Sequence, residues 1–186
     1  MNPIKNKKTL EESIDQVRNL AYSYVEKYNP PKQQLKTYLY KKLIKSNQKN
    51  SSKKEIFNLI DTIINTLTNE KFLNDEFYAD MKSKAFYRRG YSLNKIRYNL
   101  IKKGIDQKYI NASISKINKD ESDPDFFSAI KLCKKRRIGP NRDENNRPLF
   151  YKKDISILAR SGFSFETSKK VLELPKNEFI KFCKMI

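Results

Sequence analysis

Apolar residues recur every three or four positions along almost the whole chain, and no feature constrains its fold more. Leu10, Ile14, Val17, Ala21, Tyr24 and Tyr28 step in this way, as do Leu35, Leu39 and Leu43, and then Ile56, Ile60, Ile63 and Leu67. That spacing lines up side chains on one face of a 3.6-residue helix, whereas a half-buried strand would alternate apolar and polar residues. With only four glycines in 186 residues, the chain reads as all-α rather than as a sandwich or barrel. At 38% hydrophobic residues, it can bury a core as one domain or as a row of small units.

Caps and stops divide the pattern. Thr9 with Glu12, and Ser52 with Glu55, form capping boxes in which each side chain can satisfy the other residue's free backbone N–H. Asn29, Pro30 and Pro31 stop the first helix and start the second, and Ser46 to Ser52 is a polar loop. A fourth helix begins near Asn74, carries Phe77, Met81 and Ala85 on its inner face, and closes at Gly90. Ser92 caps the fifth helix, whose seam is Leu93, Ile96 and Leu100, and Gly104 with Ile105 ends it. Asp106 caps the sixth, with Ile110, Ile114 and Ile117.

Asp123 and Pro124 open the next helix, which carries Phe127, Ile130 and Cys133, and IGPNRDENNRP, Ile138 to Pro148, reads as a charged, mobile loop. Tyr151, Ile155 and Leu158 then lead to Gly162, Ser164 caps a helix with Val171 and Leu172, and Pro175 opens a terminal one with Phe179 and Phe182. Leu35, Leu39, Ile96, Leu100, Ile105, Leu158 and Phe163 are the expected core.

A weak internal repeat of about sixty residues underlies this order. LIKKGID, Leu100 to Asp106, matches LARSGFS, Leu158 to Ser164: leucine, cation, glycine, apolar residue and cap recur at one offset. Pro31, Leu35 and Leu39 anticipate Ser92, Ile96 and Leu100 in the same way, without the glycine. The expected organisation is three tandem three-helix repeats over residues 9–69, 74–118 and 123–186, the last with a short extra C-terminal helix.

Forty lysines and arginines oppose 21 acids, a net charge of +19, suited to nucleic acid, an anionic membrane surface or an acidic protein. Most of these cations are lysines, and a lysine-rich composition needs no binding site to explain it. Cys133 and Cys183 are far apart with no CxxC partner, so neither a disulfide framework nor a zinc site is expected. No apolar run approaches the roughly 20 residues that span a bilayer, and MNPIKNKKTL lacks the apolar block of a signal peptide. The expectation is a soluble cytoplasmic protein. There is no histidine, metal-ligand cluster or nucleophile with a base, so no catalytic residue, metal or cofactor is expected, and the protein is read as not an enzyme.

Three segments resemble the RecX family, bacterial regulators of the RecA recombinase. They are RRGYSLNKIRYNLIKKGID with Tyr109 and Ile110, YVEKYNPPKQQLKTYLYKKL, and ILARSGFSFETSKKVLEL, which is similar to the family's third-repeat signature; together they cover about half of the chain. Ser161, Ser168 and Pro30-Pro31 depart from the family's usual second basic residue, aliphatic residue and serine-led cap. The resemblance implies an elongated, curved array of the three repeats, acting as a monomer in DNA repair, homologous recombination and the SOS response. It implies binding in the groove of the RecA filament on single-stranded DNA, touching that DNA directly or through RecA. Filament extension, ATPase, strand-exchange and coprotease activities would then be limited. A stand-alone basic helical DNA- or RNA-binding protein is the alternative, with the helices joined at Lys103 to Asp106 acting as a helix-turn-helix.

The candidate partner-binding residues are Arg88, Arg89, Lys95, Arg97, Lys102, Lys103, Lys134, Lys135, Arg136, Arg137 and Arg160. All but Lys95 and Arg97 have a plainer reading, because cations near helix C-termini complement the dipole and charge runs are commonly solvated. Tyr87, Tyr91 and Tyr98 could stack on bases, or could seal helix interfaces with the hydroxyl kept wet. Gly90, Gly104 and Gly162 fit no phosphate-loop pattern and are read as helix stops.

Overall fold

The computed structural model describes the backbone of residues 3–46 and 52–186 and the side chains of residues 14–44 and 52–186. All regular structure among them is helical. In chain order the helices are α1 (Pro3–Tyr28), α2 (Lys32–Ser46), α3 (Lys53–Asn69), α4 (Asp75–Arg88), α5 (Leu93–Lys102), α6 (Gln107–Asp120), α7 (Pro124–Arg136), α8 (Arg147–Arg160), α9 (Phe165–Leu172) and α10 (Lys176–Met185). The chain divides into two units, one running to Tyr78 and including Lys103–Ile105, the other comprising Ala79–Lys102 and Asp106–Ile186.

In the first unit, Val17, Ala21 and Val25 of α1 pack with Leu35 and Leu39 of α2 and with Ile56, Ile60, Ile63, Ile64 and Leu67 of α3. The stripe expected on α1 is rotated: Tyr28 is 55% exposed and Val25 takes the buried place. Tyr24 stays at the rim, stacked on Tyr38 at 3.9 Å between ring centroids. Helix α1 continues back to Pro3, so Thr9 lies within it rather than at its cap, and the Thr9 and Glu12 side chains lie outside the described residues. The Ser52–Glu55 capping box forms in full.

The inner face expected on α4 is wrong in phase. Phe77 and Met81 are more than half exposed, whereas Ala79 and Ser83 are buried. Small side chains let α4 approach α6 closely: the Ser83 hydroxyl donates to Ser113 Oγ at 3.0 Å, and Ser113 donates onward to the Ile110 carbonyl. Transfer hydrophobicity favours burying Phe77 and Met81, but helix–helix distance decides the outcome. Ile96, Leu100, Ile110, Ile114 and Ile117 are buried as expected, while Leu93 is only partly so.

The last helices enclose Phe126, Ala129, Ile130, Leu132, Cys133, Ile138, Leu158, Phe163, Val171, Leu172 and Phe179. IGPNRDENNRP is strapped down rather than loose. It forms two 3-10 turns with Ile138, Gly139 and Pro140 buried. Buried Asp154 accepts the Gly139 N–H and two guanidinium N–H groups of Arg142, each at 2.8 Å. Arg147 donates to the Leu172 and Leu174 carbonyls, satisfying the end of α9. Sequence reading missed this because charges in a loop signal solvent unless their partners are known.

One interlock occurs in each unit. The first N–H of α2, on Lys32, donates to Asp75 Oδ1 of α4 at 2.9 Å, and the first N–H of α5, on Leu93, donates to Asp125 Oδ1 of α7 at 2.7 Å. Burial raises the Asp125 pKa while the Leu93 N–H opposes that rise. Gly104 lies against Gln33 at the start of α2, and Gly162 against Ser92 at the start of α5. Both glycines have positive φ, 76° and 88°. Gly90 and Gly162 close α4 and α8 in Schellman motifs, and Arg137, at φ 53°, takes the glycine's place at the end of α7.

Two substitutions should therefore move stability in opposite directions, read by chemical denaturation. Gly162→Ala places a Cβ 2.5 Å from Ser92 Oγ at a left-handed position and should cost about 2 kcal/mol or more. Arg137→Gly relieves a side chain from that region and should stabilise by up to about 1 kcal/mol. Asp154→Ala leaves Arg142 and the Gly139 N–H without their acceptor and should cost about 3 kcal/mol; an unchanged midpoint would show that Asp154 does not hold the loop.

Candidate functional site

Ser92, fully buried, builds the site. Its hydroxyl accepts the Lys95 N–H at 3.1 Å, capping α5, and donates to the Ser161 carbonyl at 2.8 Å. The first turn of α5 is thereby fixed to the last turn of α8, with the end of α7 alongside. Between them lies a groove of about 350 Å³, lined by Gly90, Tyr91, Lys95, Leu132, Arg136, Ile157, Arg160 and Ser161. Lys95, Arg136 and Arg160 thus line it from three helices, and among the described residues no carboxylate pairs with any of them.

The helix dipole accounts for part of this arrangement. Arg136 and Arg160 occupy last turns, where a cation is favoured, and Arg160 Nε also donates to the Ser156 carbonyl at 3.2 Å. Lys95 lies in the first turn of α5, where the dipole disfavours a cation. Three unneutralised charges around a partly apolar cleft concentrate positive potential there, which suits a carboxylate or a phosphate.

The other candidates are not gathered at the groove. Arg88 and Arg89 are exposed at the end of α4, and Lys102 at the end of α5. Lys103 Nζ donates to Gln34 Oε1, Arg97 to Asn111 Oδ1, and Lys134 to the Cys183 carbonyl at the end of α10. In the run CKKRRIG, Arg136 lines the groove, Lys135 is exposed, and Arg137 serves the helix stop. The Tyr87 hydroxyl meets Glu121 at 3.4 Å and the ring lies under Lys131; burial, with Glu121 adding to it, raises the phenol pKa. Tyr91 stacks on Phe86 at 5.2 Å, and Tyr98 is exposed with Lys95 Nζ 5.4 Å from its ring centroid. Leu132 and Ile157 are the site residues that sequence reading missed, because each is spaced like any other core residue of its helix.

A larger cavity of about 480 Å³ borders Arg147, Tyr151, Asp154 and Glu173. Its charged groups are already engaged, Arg147 and Asp154 as above and Glu173 by the Tyr151 hydroxyl at 3.2 Å. Burial pushes the Cys133 thiol up to about 12, so it is a packing residue rather than a nucleophile. Among the described residues, no group of three or more His, Cys, Asp or Glu could hold a metal, and no helix is long and apolar enough to cross a membrane.

No family model matches the chain. Among curated proteins, it is 29% identical over 159 residues to the regulatory protein RecX of Myxococcus xanthus, covering 84% of each. It is 30% identical over 112 residues to that of Agrobacterium fabrum, spanning 55% of that relative's length, and 25% identical over 162 residues to that of Clostridium tetani. Among solved structures, RecX from Lactobacillus salivarius superposes with a TM-score of 0.61 at 19% identity, over 95% of this chain and 99% of that one. A second crystal structure of regulatory protein RecX gives 0.61 at 20% identity, over 91% and 78%. The helical order, the fold and similarity over most of the chain agree: the chain is similar to the RecX regulatory proteins.

Proposed function

We propose that this protein regulates the RecA recombinase, binding in the groove of the RecA filament on single-stranded DNA and limiting its extension and its ATPase, strand-exchange and coprotease activities. Similarity to the RecX regulatory proteins supports the partner. The observation that carries the contact surface is the meeting of Lys95, Arg136 and Arg160, from three separate helices, around one cleft without acidic neutralisation. Catalysis has no part in the mechanism. A ligand changes a filament's length only through unequal affinity for its assembly states, and occupying the groove between successive protomers supplies that inequality.

Tandem three-helix modules, α1–α3, α4–α6 and α7–α9 with α10 appended, suit a helical partner because repeated weak contacts add through effective concentration. The recurrence of the aspartate cap and the glycine contact, Asp75 with Gly104 and then Asp125 with Gly162, supports that division. Arg88, Arg89, Lys102 and Lys135 extend the cationic surface as exposed side chains. Such a protein acts where RecA does, in the cytoplasm, and reaches single-stranded DNA directly or through RecA.

RecA's DNA-dependent ATPase and filament length, measured with increasing amounts of the protein, test this reading. Both should fall, and Arg136→Glu with Arg160→Glu should raise the half-effective concentration about tenfold or more. Tight binding to duplex DNA at physiological salt with both readouts unchanged would instead identify a stand-alone nucleic-acid binder.

A further inference from the structure

We infer that the groove between α5, α7 and α8 receives an acidic protein segment carrying one apolar side chain, with its carboxylates on Lys95, Arg136 and Arg160 and the apolar group against Leu132 and Ile157. The inference takes its partner from the regulator reading and its ligand chemistry from the groove itself.

The floor decides between acidic ligands. A phosphodiester needs cations and donors but gains nothing from Leu132 and Ile157, whereas a leucine or phenylalanine side chain buries its surface against them. Single-strand readers add open aromatic faces for stacking. Here Tyr91 already stacks on Phe86, with 7° between the ring planes. Tyr98, 57% exposed, does not line the cleft. At about 350 Å³, the space far exceeds the roughly 30 Å³ of a single water, so it is sized for a side chain with flanking groups. Arginine, with its planar fork of donors, is also the better partner for carboxylates.

The apolar floor is not a by-product of the internal repeat. At the offset relating Gly104 to Gly162, Arg160 corresponds to Lys102, a conserved charge, but Ile157 corresponds to Asn99. A cation recurs at that offset and the apolar wall does not, which marks this groove as specialised.

Fluorescence anisotropy on the full chain tests the inference with three labelled probes of equal charge: an Asp/Glu peptide with a central leucine, the same peptide with serine there, and an oligodeoxythymidylate. The leucine peptide should bind about tenfold more tightly than the serine peptide. Arg136→Glu with Arg160→Glu should weaken it at least tenfold, and Ile157→Asn should abolish the preference for leucine. Lys181→Glu, at an exposed position of α10, should change little, and thermal melts establish that each variant is folded. Equal affinity for the two peptides overturns the inference, as does loss of oligonucleotide binding in the arginine variants with peptide binding intact. Inhibition of RecA by a protein that binds neither peptide leaves the regulator reading standing and removes this one. Leucine-selective binding without any effect on RecA does the reverse.

Discussion

The N-terminus of a helix exposes backbone N–H groups that its own turns cannot satisfy, and in this fold those of α2 and α5 are met by a carboxylate from another helix. Asp75 accepts from Lys32 and Asp125 from Leu93. An N-cap of this kind contributes about 1 kcal/mol in general, but here it also fixes where one helix begins relative to another. The glycine contacts complete the arrangement. Gly104 and Gly162 let the turn before α6 and the turn before α9 approach Gln33 and Ser92 more closely than a Cβ would allow.

The candidate groove is a consequence of that packing. Once Ser92 links the start of α5 to the end of α8, the last turns of α7 and α8 and the first turn of α5 come to surround one cleft. Two of its cations suit the dipoles of their own helices, and the third, Lys95, does not. Helix stability explains a scattered set of basic helix ends; it does not explain Lys95, nor an aliphatic floor beneath the charges. Binding an acidic, apolar-anchored segment explains both.

The helices, most of their caps and the deepest core were legible because each rests on local physics. Leu35, Leu39, Ile96, Leu100 and Leu158 are all fully buried, and Ser52, Ser92, Asp106, Asp123 and Ser164 cap the helices that follow them. Errors arose where a side chain's environment depends on distant partners. Phe77 and Met81 face outward while Ala79 and Ser83 are buried, Ser83 being held to α6 by its bond to Ser113. The charged segment from Ile138 to Pro148 is held in place because Asp154 supplies the counter-charge for Arg142.

The candidate site divides in the same way. The cations were visible as residues, but their sequence positions gave no means of separating Arg136 from Arg137, adjacent in one run, one lining a groove and the other holding a left-handed helix stop. Periodicity, caps and stops act within a turn or two of chain, so the sequence alone determined the helices, their order and the resemblance to RecX proteins. Which charges share a cleft depends on contacts between residues about seventy positions apart, such as Ser92 with Ser161, and only the tertiary structure could decide that.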